Sequence, residues 1–346
     1  MKEKIIDFRS DTVTLPTPEM MEAIQKALLG DDVFREDPTI NELEETAARL
    51  FKKEAGLLVT SGTQGNLISV LAQTDGRGSE IILEKDSHIA YYEVGGIAAL
   101  GGVMMRAVPG NHGYITPDEV STNIRGDDIH LPRTKLVSLE NTHNRAGGTL
   151  MNKFQMDAIG KVAREAGIGF HVDGARIFNA AVATETGVDV LTETATSVTF
   201  CLSKGLSCPV GSVIVGEKDF IDRARKVRKQ LGGGMRQAGI IAAPGLVALK
   251  NWRRLKEDHD NAKRLAKGLK SLISNPLVTV PEPQTNIMFI RGLGSDGPDI
   301  QEKLGKRNVL TFALGPSAVR FVTHRMISQS DVEEALARME PVFKSL

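Results

Sequence analysis

A lysine at the end of an apolar segment is the residue of this sequence with the clearest chemical potential. The stretch SVTFCLSKG (residues 197–205) predicts a buried strand that delivers Ser203 and Lys204 into a glycine-containing loop. In open α/β sheets, ligands bind outside the carboxyl ends of the strands. A lysine there becomes a nucleophilic amine when partial burial or a nearby cation lowers its pKa. A lone lysine at a strand end is more often a solvated loop residue, so its neighbours must decide.

A second apolar segment, GIGFHVDGAR, places Asp173 and Arg176 at the same edge of the predicted sheet. A carboxylate beside a heteroaromatic nitrogen keeps that nitrogen protonated, which makes a pyridoxal ring an electron sink. An aspartate that ends a strand alone would more often form a turn or cap a helix. Together, Asp173 and Lys204 predict a site for pyridoxal 5'-phosphate.

The segment TSGTQGN, which follows the apolar run AGLLVT, predicts a phosphate site. Gly62, Thr63 and Gly65 lie where an apolar helix begins, and the first N–H groups of a helix bind anions. The segment lacks the Gly-Lys-Ser/Thr ending of a nucleotide P-loop. A plain strand-to-helix turn is the alternative interpretation.

A competing motif for a nicotinamide-dependent dehydrogenase occurs in RGLGSDG, where Gly292, Gly294 and Gly297 have G-x-G-x-x-G spacing. No acidic residue ends the strand that follows, and too little chain remains for the rest of a Rossmann half. We interpret this segment as a surface turn.

His171 and Asp173 form an H-x-D pair that matches part of a facial triad for non-haem iron, with His259 or His324 as the third ligand. Oxygenases with this motif are usually all-β proteins, whereas both residues here belong to a strand of a helix-flanked parallel sheet. We therefore predict no metal site.

Short apolar runs alternate with helical stretches over most of the chain, which predicts βαβ units. The runs are AGLLVT, EIILE, VMMRAV, KLVSLE, GIGFHVD, SVTFCL and SVIVG. We expect an α/β fold with three layers, in which a mostly parallel sheet has helices on both faces. Helix starts are predicted at Thr17–Pro18, at Thr39 with Glu42, and at Ser330 with Glu333.

The pattern changes near residue 240, where a long helical stretch begins and Pro244 is the place at which it is expected to break. The runs TNIMFI and AVRFVTH then predict two strands of a smaller α+β unit. We expect two domains: residues 1–245 form an N-terminal segment and a large cofactor-binding α/β domain, and residues 246–346 form a small C-terminal α+β domain.

The composition argues against several classes of partner. Lys plus Arg and Asp plus Glu each number 43, so no polyanion-binding surface and no nucleic-acid partner are expected. No run of about 18 apolar residues occurs, so no membrane span is expected. The two cysteines, Cys201 and Cys208, are too few for a disulfide framework. We expect a soluble, cytoplasmic protein.

Taken together, the motifs resemble those of the low-specificity threonine aldolases, members of the aspartate-aminotransferase-like (fold type I) pyridoxal-phosphate family. The resemblance covers almost the whole chain. Its motifs are DFRSDTVTLPTPEM, GDDVFREDPTINELE, SGTQGN, DSHI, LENTHNRAGG, HVDGARIFNA, CLSKGLSCPVGS, LGGGMRQAG and RFVTH. A single one of these motifs would not identify the family, but their combination is specific to it.

The resemblance implies which residues bind the cofactor. Lys204 matches the Schiff-base lysine, Asp173 the partner of the pyridine nitrogen, and His88 the histidine that stacks on the ring. The remaining cofactor contacts it implies are Gly62, Thr63 and Ser203 at the phosphate, with Arg176 and Arg236.

It also implies a substrate site. Arg176, Arg320 and Ser10 match the groups that hold the substrate carboxylate, and guanidinium forks suit this task because they bind carboxylates bidentately. His130 matches a histidine near the substrate hydroxyl. Lys229, like Arg236, matches a basic residue that acts across a subunit boundary in a homo-oligomer, a tetramer in the family.

One motif departs from the family pattern. GDDVFREDPT has Phe34 and Arg35 where Tyr-Gly is expected, so a tyrosine hydroxyl contact to cofactor or substrate is missing. Turnover or substrate preference is expected to differ for that reason.

The implied reaction is reversible retro-aldol cleavage of L-threonine or L-allo-threonine to glycine and acetaldehyde. His130, His88 or a water between them would accept the hydroxyl proton. Transamination or β-elimination on the same fold is the nearest alternative. A non-enzymatic binding protein would explain neither Lys204 nor the paired arginines. The sequence does not decide between threo and allo substrates, nor whether serine or β-phenylserine is used.

Overall fold

The computed structural model describes residues 4–344, and these contain a seven-stranded sheet, a three-stranded sheet and a two-stranded sheet. The strands are β1 Ile6–Asp7, β2 Ala55–Val59, β3 Ser79–Glu84, β4 Met104–Val108, β5 Arg133–Glu140, β6 Gly169–Asp173, β7 Ser197–Cys201, β8 Ser212–Gly216, β9 Ile287–Arg291, β10 Val309–Leu310, β11 Phe312–Ala313 and β12 Ala318–Val322.

The helices alternate with these strands as the apolar pattern predicted. They are α1 Pro18–Lys26, α2 Pro38–Phe51, α3 Gly62–Gln73, α4 His88–Tyr91, α5 Gly96–Gly101, α6 Pro117–Asn123, α7 Lys153–Glu165, α8 Ile177–Ala183, α9 Val188–Leu191, α10 Lys218–Gln230, α11 Gly239–Asn251, α12 Leu255–Leu272, α13 Gly297–Gly305 and α14 Gln329–Phe343.

The large sheet has seven strands in the order β2-β8-β7-β6-β5-β3-β4. All neighbours are parallel except β8, which runs antiparallel to β2 and β7. Every residue of β3, β7 and β8 is buried, as is typical of strands covered by helices on both faces. The predicted three-layer, mostly parallel α/β architecture is confirmed.

The smaller sheet, β11-β12-β9, is antiparallel and packs with α12, α13 and α14 around a second apolar core. The N-terminal segment contributes to this core: β1 pairs in parallel with β10, and Phe8 is fully buried there. Residue 245, the predicted domain boundary, lies inside α11, which packs on α1 and α2. The predicted α+β unit therefore exists, but residues 6–8 of the N-terminal segment pack with it.

Three local predictions differ from the structure. Helix α2 begins at Pro38 with Asp37 as its cap, because the Asp37 carboxylate accepts from the Ile40 N–H and Pro38 suits the first helical position. Helix α14 is capped by Ser328, not by Ser330. Pro244 lies within α11, and the long helical stretch breaks instead at the 3₁₀ turn Trp252–Arg254.

Among residues 4–344, no helix is both long and apolar enough to cross a membrane.

Candidate active site

Lys204 lies where the sequence placed it, three residues beyond the end of β7. The loop that carries it is fixed from two sides, because the Lys204 carbonyl accepts from the Thr14 hydroxyl at 3.0 Å and from the Ser207 N–H at 2.8 Å. The Lys204 charge contributes to lowering the pKa of Asp11 and acts against protonation of His88, so both side chains lie within the range of its charge. Lys204 itself is half-buried.

Asp173 ends β6, the strand next to β7, and its side chain is 2% exposed. One carboxylate oxygen accepts from the Ala175 N–H at 3.1 Å, and the other accepts from the Asn66 amide at 2.8 Å. A buried carboxylate with fixed donors has a fixed direction. Asp173 and Lys204 are thus brought to one edge of the sheet, as predicted.

His88 begins α4, and a residue absent from the sequence prediction, Glu93, lies against it. The distance between His88 Nδ1 and Glu93 Oε1 is 2.8 Å, and the His88 N–H donates to Glu140 Oε2 at 2.6 Å. Burial alone would lower the pKa of His88, but the hydrogen bond to Glu93 and the charge of Asp173 raise it above its usual value. Burial raises the pKa of Glu93.

Asn66 on α3 connects these groups. Its Nδ2 donates to both Asp173 and Glu93 at 2.8 Å, and its Oδ1 lies 3.2 Å from His171 Nε2. Sequence reasoning missed Asn66 and Glu93, although both lie within quoted or adjacent motifs, because nothing in their spacing indicates that two helices meet there.

The start of α3 has the geometry expected of the predicted anion site. The Ser61 hydroxyl caps the helix by accepting from the Gln64 N–H, and the first N–H groups of an α-helix have no intrahelical acceptor. A Cβ added at Gly62 would lie 2.8 Å from Cys201 Sγ, so glycine allows the helix to approach the end of β7 closely. Thr63 and Ser203 lie on the two converging segments.

A polar atom without a partner lies beside this turn. Among the described residues, the buried Ser212 Oγ has no hydrogen-bond partner. Ser212 is opposite Cys201 in the sheet, and its Oγ is 3.9 Å from a Cβ built at Gly62. A phosphate at the α3 terminus would give this hydroxyl an acceptor, so the residues fit the phosphate of the predicted cofactor.

Arg320 is available for an anionic ligand. It lies on β12, donates Nη1 to Asn144 Oδ1 at 2.9 Å and Nη2 to the Arg9 carbonyl at 3.0 Å. Its buried Nε has no partner within residues 4–344. Burial, with repulsion from Arg176, lowers the pKa of Arg320 to about 10. A buried guanidinium with an unpaired N–H group is stabilised by a charge-assisted hydrogen bond to a carboxylate.

Arg176 is arranged differently, because it forms a bidentate pair with Asp11. Arg176 Nε and Nη2 donate to the two Asp11 oxygens at 2.8 and 2.7 Å, and both residues are buried. The predicted contact with a ligand would have to use the remaining Nη1. Ser10 precedes this pair and its hydroxyl caps the 3₁₀ turn Asp11–Val13.

His130 is not brought to Lys204 within one chain, and Lys229 and Arg236 lie on the surface. His130 precedes β5, at the sheet edge opposite Asp173, and is 79% exposed beside Asp128. Lys229 is exposed at the end of α10, and Arg236 pairs with Asp31 at 2.9 Å. Their roles at the site stay predictions.

Phe34 and Arg35, the residues that depart from the family pattern, are on the surface of the chain. Phe34 is 70% exposed, and Arg35 donates to Asp222 at 2.9 Å from a left-handed backbone.

The two alternative motifs are used for structure. Gly292 and Gly294 have positive φ in the turn between β9 and α13, which agrees with a turn rather than a dinucleotide site. His259 bonds to Asn179, and His324 bonds to the Asp7 carbonyl.

A three-residue group could offer metal ligands. His88, Glu93 and Asp173 have ligand atoms within 4.8 Å of one another. The Asn66 amide already donates to both carboxylates, so hydrogen bonding explains this arrangement.

Comparison with known proteins agrees with this geometry. A family described as Beta-eliminating lyase matches residues 7–292. The chain is 44% identical to a probable low-specificity L-threonine aldolase 2 of Arabidopsis thaliana over 99% of this chain and 98% of the relative. It is 43% identical to the low specificity L-threonine aldolase of Escherichia coli K12 over 96% of this chain and 98% of the relative.

A solved threonine aldolase of Leishmania major has the same fold. Its TM-score is 0.84 at 18% identity, and the match covers 98% of this chain and 99% of the other. The family predicted from the motifs is confirmed, and the chain belongs to the low-specificity L-threonine aldolases.

Proposed function

We propose that this protein is a pyridoxal-phosphate-dependent carbon–carbon lyase that cleaves L-threonine or L-allo-threonine to glycine and acetaldehyde. The observation that carries the proposal is the convergence of Lys204 and the buried Asp173 at the end of the parallel strands, with family membership behind it. The reaction is reversible.

The cofactor, when bound, supplies an electron sink for the bond that breaks. Lys204 would hold it covalently, and Asp173 would bind the ring nitrogen. His88 would cover one face of the ring. The groups at the phosphate would be Gly62, Thr63 and Ser203, with Ser212 as a contact that the sequence did not indicate.

Binding of the substrate carboxylate would determine which bond reacts. Arg320 has a buried Nε without a partner in the described chain, and Ser10 and Arg176 lie on neighbouring segments. Clamping the carboxylate would restrict rotation of the substrate about its Cα–N bond, so these residues would select the bond that breaks.

Product analysis tests the reaction. Incubation with L-threonine and with L-allo-threonine is expected to give acetaldehyde and glycine in equal amounts. A keto acid would instead indicate transamination or β-elimination and would contradict the proposal. D-threonine and D-allo-threonine are tested in the same assay.

Substitution of Lys204 tests the site. Lys204→Ala is expected to abolish both the visible absorbance of the bound cofactor and turnover, because it removes the amine that would hold the cofactor covalently. Lys256→Ala is the matched control, since Lys256 is an exposed lysine paired with Asp260. A yellow and active Lys204→Ala variant would contradict the assignment.

We also propose that the active form is a homotetramer whose sites are shared between chains. Arg236, Lys229 and His130 are on the surface, and His130 lies at the sheet edge opposite Asp173 of its own chain. In this proposal they complete the site of a neighbouring copy.

Mixed oligomers test this arrangement. Lys204→Ala and Arg236→Ala are each expected to be nearly inactive as separate proteins. When they are co-expressed, about a quarter of the sites would carry neither substitution if two chains share a site. Recovery of that fraction of activity supports shared sites, and no recovery overturns them.

A further inference from the structure

Arg145 is a second guanidinium beside the candidate active site, and it was not among the predicted site residues. It lies on the loop after β5, in the segment LENTHNRAGG. The residue before it, Asn144, accepts from Arg320 Nη1 at 2.9 Å. Arg145 therefore directly follows the residue that holds the arginine proposed to bind the substrate carboxylate.

Two tyrosines at the end of α4 fix the Arg145 guanidinium. Its Cζ lies 3.7 Å from the centroid of the Tyr91 ring, which is a cation–π contact. Its Nη1 donates to the Tyr92 hydroxyl at 3.2 Å. The Tyr92 ring is 5.5 Å from the ring of His88, which is proposed to cover the cofactor. Tyr92 also lies within range of the Arg320 charge, so Arg145 is held next to both parts of the proposed site.

The donors of Arg145 and Tyr92 are not fully used within residues 4–344. The buried Arg145 Nε has no hydrogen-bond partner there, as is also true of Arg320 Nε. The Tyr92 hydroxyl accepts from Arg145, so its own proton can be donated to a further acceptor. Two guanidinium groups that each keep an unpaired donor suit a ligand with two carboxylates.

We propose that Arg145, with the Tyr92 hydroxyl beside it, binds a carboxylate on the β-substituent of the substrate, so that the enzyme also cleaves β-hydroxy-α-amino dicarboxylic acids. This inference rests on the proposed retro-aldol reaction and on binding of the α-carboxylate at Arg320. The β-methyl group of threonine leaves the Arg145 donors unused. A carboxylate in its place gains charge-assisted hydrogen bonds.

The reaction of such a substrate needs no further reactant. In 3-hydroxyaspartate, the simplest member of the class, the Cα–Cβ bond breaks and its electron pair remains with Cα. The hydroxyl O–H bond breaks, and its electron pair forms the C=O bond of the departing aldehyde. The proton released from the hydroxyl balances the proton that adds to Cα. The products are glycine and glyoxylate.

An acidic residue beside Arg145 opposes this binding. Asp86 Oδ1 lies 3.4 Å from Arg145 Nε, and the Asp86 side chain is 40% exposed. Burial alone would lower the pKa of Arg145, but the bond to Tyr92 and the charges of Tyr92, Tyr91 and Asp86 raise it, so the guanidinium stays charged. Removing the Asp86 charge should therefore strengthen the binding of a second carboxylate.

Analogues without the hydroxyl group test the site independently of the reaction. L-aspartate and L-2-aminobutyrate are 3-hydroxyaspartate and threonine without the β-hydroxyl, so neither can undergo retro-aldol cleavage. Their dissociation constants follow from changes in the visible absorbance of the holoenzyme, which is expected to bind aspartate more tightly. Arg145→Gln should reduce this preference by roughly tenfold, the effect of losing a hydrogen bond to a charged group. An unchanged preference, or equal weakening of both ligands, overturns the proposal.

Cleavage kinetics test the substrate class. Glyoxylate and glycine released from the L-threo and L-erythro isomers of 3-hydroxyaspartate are compared with acetaldehyde and glycine released from threonine. Arg145→Gln should lower the ratio of kcat/KM for 3-hydroxyaspartate to that for threonine by roughly tenfold, mainly through KM. Asp86→Asn should raise the same ratio. Cleavage of threonine without cleavage of 3-hydroxyaspartate would overturn this inference and leave the proposed function standing. Arg145-dependent binding of aspartate without cleavage of either substrate would overturn the proposed function instead.

The matched control is Arg253→Gln. Arg253 also lies over an aromatic ring, with its Cζ 4.6 Å from the centroid of the Trp252 ring, but it belongs to the 3₁₀ turn after α11. Its substitution should leave both the binding preference and the kinetic ratio unchanged. Tyr92→Phe, which removes only the hydroxyl, should lower the ratio by a smaller factor than Arg145→Gln, because Arg145 keeps its contact with Tyr91. A loss of the ratio in Arg253→Gln as large as in Arg145→Gln would overturn the specific role of Arg145.

Discussion

Two histidine–glutamate pairs within residues 4–344 differ in burial and in how their histidine nitrogens are bonded: His143–Glu84 is buried, whereas the His88 ring is 25% exposed. In the pair His143–Glu84, His143 Nε2 lies 3.0 Å from Glu84, and its Nδ1 accepts from the Ala146 N–H at 3.2 Å. In the pair His88–Glu93, Nδ1 faces the carboxylate and Nε2 has no partner in the described chain. Both nitrogens of His143 serve the fold, whereas one nitrogen of His88 is left for a ligand.

The glutamates differ in the same sense. Burial would raise the pKa of Glu84, but bonds from His143 and from the Asp86 and Gly110 N–H groups hold it below its usual value. Glu93 has fewer donors, its Oε2 has no partner among the described residues, and burial raises its pKa. A buried polar group that is incompletely satisfied often marks a functional site.

The arginines at the carboxylate site repeat this contrast. Arg176 uses two of its five N–H donors in charge-assisted bonds to Asp11, whereas Arg320 keeps a buried Nε without a partner among the described residues. The first pair orders the loop around Lys204, and the second can still gain a partner. Ligand sites can thus be recognised by buried hydrogen-bond donors and acceptors that have no partner within the chain itself.

The largest expected effect compares the two histidines directly. His143→Leu removes the acceptor of the Ala146 N–H and the partner of Glu84 in a fully buried setting, so the free energy of unfolding should fall by about 3 kcal/mol. His88→Leu should cost about 1 kcal/mol or less, because Glu93 keeps its bond from Asn66. Urea unfolding of both variants measures this difference.

The activity of the same variants sharpens the comparison. His143→Leu should retain turnover at temperatures where it is folded, whereas His88→Leu should lose it while remaining folded. Equal losses of stability in the two variants would show that the pairs do not differ as described.

The sequence predicted the part of the site that depends on strand ends. The run SVTFCLSKG placed Lys204 beyond β7, and GIGFHVDGAR placed Asp173 at the end of β6. These predictions hold because parallel strands bring their carboxyl ends to one edge whatever the details of helix packing. The Gly62 turn was predictable for the same reason.

The contacts between helices were not predictable in this way. Asn66, Glu93 and Ser212 become recognisable only when α3, the segment after α4 and β8 are placed at the same edge of the sheet. The pairing of Arg176 with Asp11 connects positions 165 residues apart, and no periodicity indicates it. The sequence also predicted a break of the long helical stretch at Pro244. The stretch breaks after α11 instead, and Pro244 is accommodated inside that helix.

A smaller effect, but one with a clear sign, is expected in the pH dependence of stability. The folded pKa of Glu84 is lowered, so its stabilising contribution is present above about pH 4.5 and is lost as the pH falls through the folded pKa. The folded pKa of Glu93 is raised, so its stabilising contribution is present below about pH 4.5 and is lost as the pH rises through the folded pKa.

Glu84→Gln should therefore cost more stability near neutral pH than near pH 4, and Glu93→Gln should cost more near pH 4 than near neutral pH. Urea midpoints of the two variants and the unsubstituted protein, measured near both pH values, test the signs. If both substitutions were more costly near neutral pH, Glu93 would be a charge-paired structural carboxylate like Glu84, and the distinction between the two pairs would be lost.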